Sequence, residues 1–425
     1  MLTPIWWLWG WSYLQLLFTT GLLAYELRQT RTLDLQRPSV VVVSMFIFGF
    51  YGLFSNYFYY QWNHLALNPR SLISDLDTWV APGIILWFVQ SKNIRVRLNV
   101  VAWAFSILVG LMFLMWLWIY FIGQQGAYNP PQSLFGLLTG KSKLYINGAG
   151  NSNYLIPYRP DDSSLPGLVR YVSFFHGPES FALVTGFVSL LALDLKNRVW
   201  SFTLLSSTII LLLLSGTRSA WIAFAVVFCI RYLIKAGKTG SMVWLCAALA
   251  AISFTVLCVP PVTNLVLGTV QNTAQTTADL RADSTEVRGE IYRRTLDGIS
   301  NSSESQFWLG HIIEGETVLP GYEPARVGTH SFYLGSLLYR QGIVGTISFA
   351  VFWIAWIQWL YQTKTDRYLA SFLIIILLSL TFCVMAFEST IIPILLISGV
   401  ISKNLDHSGL HQKKTSSLSQ TSHCP

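Results

Sequence analysis

Apolar stretches of about twenty residues alternate along this chain with short polar connections, and each stretch is close to the ~20 residues that a helix needs to cross a bilayer. The first, Met1 to Tyr25, is rich in tryptophan and has neither a basic start nor a small-residue cleavage site, so it is expected to be a spanning helix and not a cleaved signal. The others fall at roughly 38–58, 75–91, 98–122, 170–192, 198–215, 219–236, 241–259, 341–361, 368–386 and 389–402. The pattern predicts an all-α integral membrane protein of about eleven transmembrane helices. Composition agrees: 53% of residues are hydrophobic and only 11% charged, against roughly a quarter charged in a soluble domain. The five cysteines, four of them in apolar segments, form no disulfide framework or zinc spacing.

Basic residues orient the pattern. Arg28, Arg31 and Arg37 follow the first span, Lys92, Arg95 and Arg97 the third, Lys196 and Arg198 the fifth, Arg231, Lys235 and Lys238 the seventh, and Lys364 and Arg367 the ninth. These connections, with the tail carrying Lys403, Lys413 and Lys414, are expected to face the cytoplasm. The net charge of +8 thus expresses orientation in a membrane and implies no nucleic acid partner. Two long segments, 123–169 and 260–330, then lie outside. The expected organisation is a first helix group over 1–259 that includes the outer loop 123–169, a large outer loop over 260–330, last helices over 331–402, and a disordered Ser/Thr-rich tail over 403–425. Loop 123–169, with its Pro130-Pro131 pair and Gly/Asn/Ser run, reads as irregular structure capping the bundle.

The large outer loop carries the candidate chemistry. It holds nine of the chain's twenty acids, while its cations are all arginines: Arg281, Arg288, Arg293, Arg294 and Arg326, with no lysine between Lys238 and Lys364. Arginine presents a planar fork that suits bidentate phosphate binding. Helical spacing from Ser284 to Ile299 puts Arg288, Tyr292 and Thr295 on one side. Arg293 and Arg294 serve equally well as a solvated helix face. In the bundle, Ser215-Gly216-Thr217-Arg218 joins two apolar spans through a tight turn and puts a guanidinium at the outer interface, where it meets an anion or snorkels to headgroups. His330 ends the loop at the start of a helix running through Leu334, Leu337 and Leu338 to Arg340. There the helix dipole favours a neutral ring that can accept a proton, although a histidine in this place can also just hold the loop. His176 and His311, also outside, share that ambiguity. Glu179 beside Pro178 orients an arginine or the acceptor, or caps a helix, and Arg170 is a third phosphate ligand or an interfacial anchor.

In order along the chain, Arg170-Tyr-Val-Ser-Phe-Phe-His176-Gly-Pro178-Glu179-Ser180, Ser215-Gly-Thr-Arg218-Ser-Ala220, Arg288 with Tyr292, Trp308-Leu-Gly310, His330-Ser331-Phe-Tyr-Leu-Gly335 and Gly342-Ile-Val-Gly345 resemble the O-antigen ligase and O-antigen polymerase superfamily. The resemblance implies a metal-independent glycosyltransferase without a cofactor, working on the periplasmic face of the inner membrane. Its donor would be an undecaprenyl-diphosphate-linked glycan, and its acceptor a glycolipid or glycan hydroxyl. It places the diphosphate on Arg218 and Arg288 and the catalytic base on His330; beside these, Arg170 is a further phosphate-binding candidate, and Glu179, Tyr292 and Ser331 are supporting candidates. The family pattern often has Asn where this chain has Ser331 and a second glycine near the place of His311, and it has twelve spans, one more than counted here. A small-anion (bicarbonate-like) transporter of the same superfamily and a non-catalytic envelope scaffold are the other classes considered. The sparse charge in the middle of the spans speaks against the first, and the gathering of arginines and a histidine against the second.

Overall fold

The structure is a computed structural model that describes residues 2–33, 35–123, 130–140, 153–159, 169–238, 282–319 and 325–403. It is mostly helical. The helices that matter below are α1 (Thr3–Trp9), α2 (Leu14–Thr30), α3 (Val40–Trp62), α4 (Pro69–Ser91), α5 (Leu98–Phe121), α6 (Pro178–Ala192), α7 (Arg198–Leu214), α8 (Arg218–Lys238), α9 (Ala282–Ser300) and α10 (Glu304–Leu309). They are followed by α11 (Ser331–Gln362), α12 (Leu369–Thr381) and α13 (Ser389–Val400). Five of these, α3, α4, α5, α8 and α11, are long and apolar enough to cross a membrane, and α6, α7, α12 and α13 are shorter apolar helices. The expected span at 241–259 lies outside the described residues, as do 260–281 and the tail after 403. The structure thus gives a multi-pass bundle but does not reproduce a count of eleven.

Two expected spans change shape. The first is broken: Gly10 ends α1 in the left-handed region (φ 92°), and Trp11 and Tyr13 follow at φ 60° and 53°, so the long helix begins only at Leu14. The fifth starts at Pro178. Residues 170–171 instead form a two-residue antiparallel ladder of β1 (Tyr158–Arg159) with β2 (Arg170–Tyr171), in the register Tyr158 to Tyr171 and Arg159 to Arg170. Loop 123–169 is therefore not wholly irregular.

Helix α6 is the centre of the bundle, since every residue except Glu179 is buried; a helix apolar all round belongs inside. In lipid, helices gain little from hiding apolar surface against one another, so small residues and interhelical hydrogen bonds hold them. Ser189 Oγ on α6 donates to Thr208 Oγ1 on α7 (2.7 Å), Trp200 Nε1 on α7 to Ser106 Oγ on α5 (2.9 Å), and Trp353 Nε1 on α11 to Ser379 Oγ on α12 (3.0 Å). Gly186 lets Leu377 of α12 close on α6.

The connections sort by charge, as the sequence predicts. At one end, Lys92 pairs with Glu26 (2.6 Å) and Arg95 with Asp366 (3.2 Å). There too, Arg231 pairs with Asp194 (2.7 Å) and Ser402 N–H donates to Val96 O (3.1 Å). At the other end, Trp11 Nε1 donates to Phe174 O (3.0 Å), Gln15 Nε2 to Ser389 O (2.7 Å) and Tyr51 Oη to Leu309 O (3.1 Å).

The last large helix contains a deliberate break. Its first part, Ser331–Tyr339, is a π-helix, and Gly342 interrupts it at φ 62°, ψ −166°. Gly310 (φ 85°) lies against Gly342, so that a Cβ on Gly310 would run into the Arg340 carbonyl and one on Gly342 into the Gly310 amide and Trp308 carbonyl. His311 and Ile312 N–H groups then donate to Tyr339 O (2.9 Å) and Arg340 O (2.8 Å). The Trp308-Leu-Gly310 element is thus locked to the start of the membrane helix. Gly310→Ala or Gly342→Ala should cost about 1–3 kcal/mol through forced backbone strain and lower the thermal midpoint in detergent. Gly110→Ala, where a Cβ meets nothing within 4 Å, should not lower it.

Candidate active site

At the end of the molecule opposite the basic connections, four segments bring polar groups together. The first is the start of α6. Glu179 sits in its first turn, and Arg170 Nη2 donates to Glu179 Oε1 (3.2 Å). Arg170 is buried, 4% exposed, and also donates through Nε to Ser215 O (3.2 Å) and through Nη2 to Thr217 Oγ1 (3.3 Å).

That contact brings in the second segment, the turn between α7 and α8. Gly216 takes the left-handed conformation (φ 64°), which only glycine adopts at no steric cost. Ser215 Oγ donates to Leu212 O (2.6 Å) and Thr217 Oγ1 to Pro178 O (3.2 Å). Arg218 is the next residue and opens α8.

The third segment is α9. Its buried stripe of Ile291 and Thr295 packs on the loop before His330, where Thr295 Oγ1 accepts from Gly328 N–H (3.0 Å). Tyr292 Oη donates to Val384 O (3.3 Å), which ties α9 to the segment after α12. Arg288, one turn earlier on the same stripe, lies close enough to Glu179, His330 and Tyr292 to act on all three charges. Arg293 and Arg294 lie on the exposed face, both paired with Glu290 (2.6 and 2.8 Å). They form the solvated face of the helix.

His330, the fourth, is the residue before the π-helix. Its Nδ1 is 3.0 Å from Thr329 Oγ1, and Thr329 Oγ1 donates its single proton to Arg326 O (2.6 Å). A hydroxyl with its proton spent can only accept, so the network assigns the proton of the neutral ring to Nδ1. Nε2 is left with the lone pair. Burial and the positive field of Arg288 pull the pKa of His330 from 6.5 to about 4, with Glu179 opposing weakly. Ser331 follows in the left-handed region (φ 62°), accepts from Leu334 N–H (3.2 Å) and starts the π-helix.

The two other outer histidines separate. His311 stacks flat on Tyr339 (4.2 Å, 10°) and contacts Ser302 Oγ (2.8 Å), which makes it a clamp of the loop. Burial, with the charge of Arg159 added to it, lowers the pKa of His176 to about 4.

Two functional candidates escaped the sequence. Arg159 faces Arg170 across the β1–β2 ladder and acts on Glu179 and His176. Glu388, in the turn before α13, accepts a hydrogen bond from Ser180 Oγ, which also lies 2.6 Å from Thr390 Oγ1. A Cβ on Gly177 would stand 3.0 Å from Glu388 Oε1 and 3.2 Å from Glu179 Oε2; the two carboxylates thus flank this glycine. The mirrored Tyr158-Arg159 and Arg170-Tyr171 pairs were a faint signal for the ladder, whereas nothing local marks Glu388.

The fold and these groups define a multi-pass membrane protein with an arginine-rich polar site at one end. Residues 201–350 match a family model described as O-antigen ligase, the family that the ordered motifs resemble. That span contains Arg218, Arg288, Tyr292, His330 and Ser331, while Arg159, Arg170, Glu179 and Glu388 lie outside it. No curated protein matches the chain.

Burial and the neighbouring Glu179 push the pKa of Glu388 from 4.5 to about 7. Its folded value exceeds the unfolded one, so its contribution to stability is complete below about pH 4.5 and is lost as pH rises towards and through 7. His330 runs the other way: its folded value is below 6.5, and stability falls as pH drops from about 6.5 to 4. Glu388→Gln, which keeps a hydrogen-bonding group without the charge, should raise the thermal midpoint more at pH 8 than at pH 5. An equal change at both pH values would show that Glu388 titrates normally.

Proposed function

We propose that the protein is a glycosyltransferase that moves a glycan from an undecaprenyl-diphosphate donor to an acceptor hydroxyl, on the periplasmic face of the inner membrane. The observation that carries this reading is His330, its Nδ1 held 3.0 Å from Thr329 Oγ1 and its ring within the field of Arg288, inside the span that matches the O-antigen ligase family model. The basic connections at the opposite end support the outside position of this one.

Arg218 and Arg288 bind the diphosphate, and Arg170 acts as the strut that fixes the Ser215–Thr217 turn against Glu179. The acceptor oxygen attacks the anomeric carbon as the bond from that carbon to the diphosphate oxygen breaks, and the electron pair leaves with the prenyl diphosphate. Guanidinium groups stabilise the charge that develops on this leaving group. His330 Nε2 takes the hydroxyl proton. Glu179 holds the arginines in place, Tyr292 holds α9, and Ser331 sets the start of the helix behind His330.

The low pKa of His330 suits this role once the donor is bound. In the free protein burial disfavours a proton on the ring, and the charge of Arg288 adds to that effect. A diphosphate on Arg288 reverses the sign of the local field and returns basicity to Nε2. The base is thereby switched on by its own substrate.

Reconstitution with a defined prenyl-diphosphate glycan tests the reading. His330→Ala should lower transfer roughly 10²–10⁴-fold, the usual worth of a general base, with donor affinity kept. Arg218→Ala and Arg288→Ala should weaken donor binding roughly 10–100-fold, as expected for losing a charge-assisted hydrogen bond of ~1.5–3 kcal/mol. Full activity in His330→Ala would remove it as the base. Product that lengthens stepwise would mark a polymerase, and single transfer to a separate acceptor a ligase.

A further inference from the structure

Beside the arginine site lies a cavity of about 350 Å³ between the α1–α2 break, the first turns of α4 and the turn before α13. Its walls include Trp11, Tyr13, Arg70, His176, Phe387 and Glu388. Three features give it the character of a sugar site.

The first is its rim of aromatic rings held from behind. Trp11 stacks on Phe175 (6.1 Å, 25°) and is fixed by its indole hydrogen bond to Phe174 O, Phe387 stacks on Trp79 (4.8 Å, 23°), and Tyr13 packs edge-on against Phe135 (5.6 Å). The negative faces of such rings suit the C–H groups on the face of a sugar. The left-handed backbone at Trp11 and Tyr13 turns the chain at this place, and a straight helix from Met1 would not. A second feature is the polar complement of Arg70, His176 and Glu388, a mixture of donors and acceptors that fits hydroxyls. Asp77 also lines the cavity, but its Oδ1 already accepts from Leu16 N–H (2.7 Å) at the start of α2.

Position is the third. Glu388 belongs both to this cavity and to the carboxylate pair that flanks Gly177, and through Glu179 that pair reaches the fields of Arg170, Arg159 and Arg288. The cavity sets two carboxyl groups, Glu388 and Asp77, against one guanidinium, Arg70, so a neutral polyhydroxyl group is a better occupant than a diphosphate. Together these place an acceptor next to a donor.

We propose that this cavity is the acceptor subsite, which takes the terminal sugar of the acceptor glycan between Trp11, Tyr13 and Phe387, and that Glu388 is a positioning residue that holds the sugar by a hydrogen bond to a hydroxyl. The proposal rests on the glycosyltransferase reading for the word acceptor, and on the cavity alone for the sugar.

Two measurements on the full-length protein in detergent test the two parts separately. The first is photolabelling with diazirine-bearing methyl glycosides of glucose, galactose and N-acetylglucosamine, mapped by mass spectrometry. Labelling of residues 10–13 or 387–390 that the unmodified glycoside competes away is expected. No labelling of these segments by any of the three, or labelling only elsewhere, overturns the subsite whether or not the protein transfers glycans. The second is steady-state transfer by folded Glu388→Ala and Glu388→Gln variants, with thermal unfolding as the check on folding. Glu388→Ala should raise the acceptor KM at least tenfold while leaving the donor KM within twofold, and Glu388→Gln should recover most of the loss. A rise in donor KM instead, or unchanged acceptor KM in Glu388→Ala, overturns the role of Glu388. If the wild type transfers nothing but the sugars still label the cavity, the glycosyltransferase reading fails and the sugar site stands.

Discussion

The site depends on one carboxylate among three guanidinium groups. Glu179 stands at the start of the most buried helix of the bundle, bound by Arg170 at 3.2 Å and within the fields of Arg159 and Arg288. These cations come from separate parts of the chain: the ladder strands bring Arg159 and Arg170, and the outer helix α9 brings Arg288. Removing one partner of such a partly buried pair typically costs ~3–5 kcal/mol, because the other is left uncompensated. Glu179 is therefore the group on which outer loop, ladder and bundle converge, and Arg170 passes its position on to the turn that precedes Arg218.

The rest of the architecture serves to hold that cluster at the surface of an otherwise apolar bundle. Interhelical hydroxyl and indole hydrogen bonds fasten the core helices, and the Gly310–Gly342 contact fastens the outer loop to the membrane helix that follows His330. The Thr329 hydroxyl, spent on a backbone carbonyl, decides which nitrogen of His330 can receive a proton. Rigid backbone elements thus set the chemistry of one mobile proton. In the proposed reaction the protein supplies position and positive charge, and the donor supplies the field that makes His330 basic.

What could be read from the sequence was what depends on local spacing. The stripe Arg288, Tyr292 and Thr295 on α9, the turn carrying Arg218, and His330 at the start of a helix are local patterns, and the structure has all three in place. The grouping of basic connections at one end was legible for the same reason, since charge bias is counted loop by loop. Arg159 and Glu388 were not legible because their roles are made by distant partners: a ladder of two residues leaves almost no periodic trace, and Glu388 meets Ser180 across 208 positions of chain. The break at Gly10 was hidden by apolar composition, which continues through Trp11 and Tyr13 although the backbone there is not helical. Short apolar helices such as α12 look like full spans in hydropathy, and the structure shows where they end.

The central claim is that a diphosphate on Arg288 restores the basicity of His330, and the most direct measurement is a side-chain NMR titration of His330 with and without a non-hydrolysable prenyl diphosphate. The His330→Gln spectrum identifies its signal among the seven histidines. The account predicts a pKa near 4 in the free protein that rises towards the ordinary value of about 6.5 when the ligand binds, and a raised pKa without ligand in Arg288→Ala. A His330 pKa that stays unchanged on saturation with the diphosphate would contradict it.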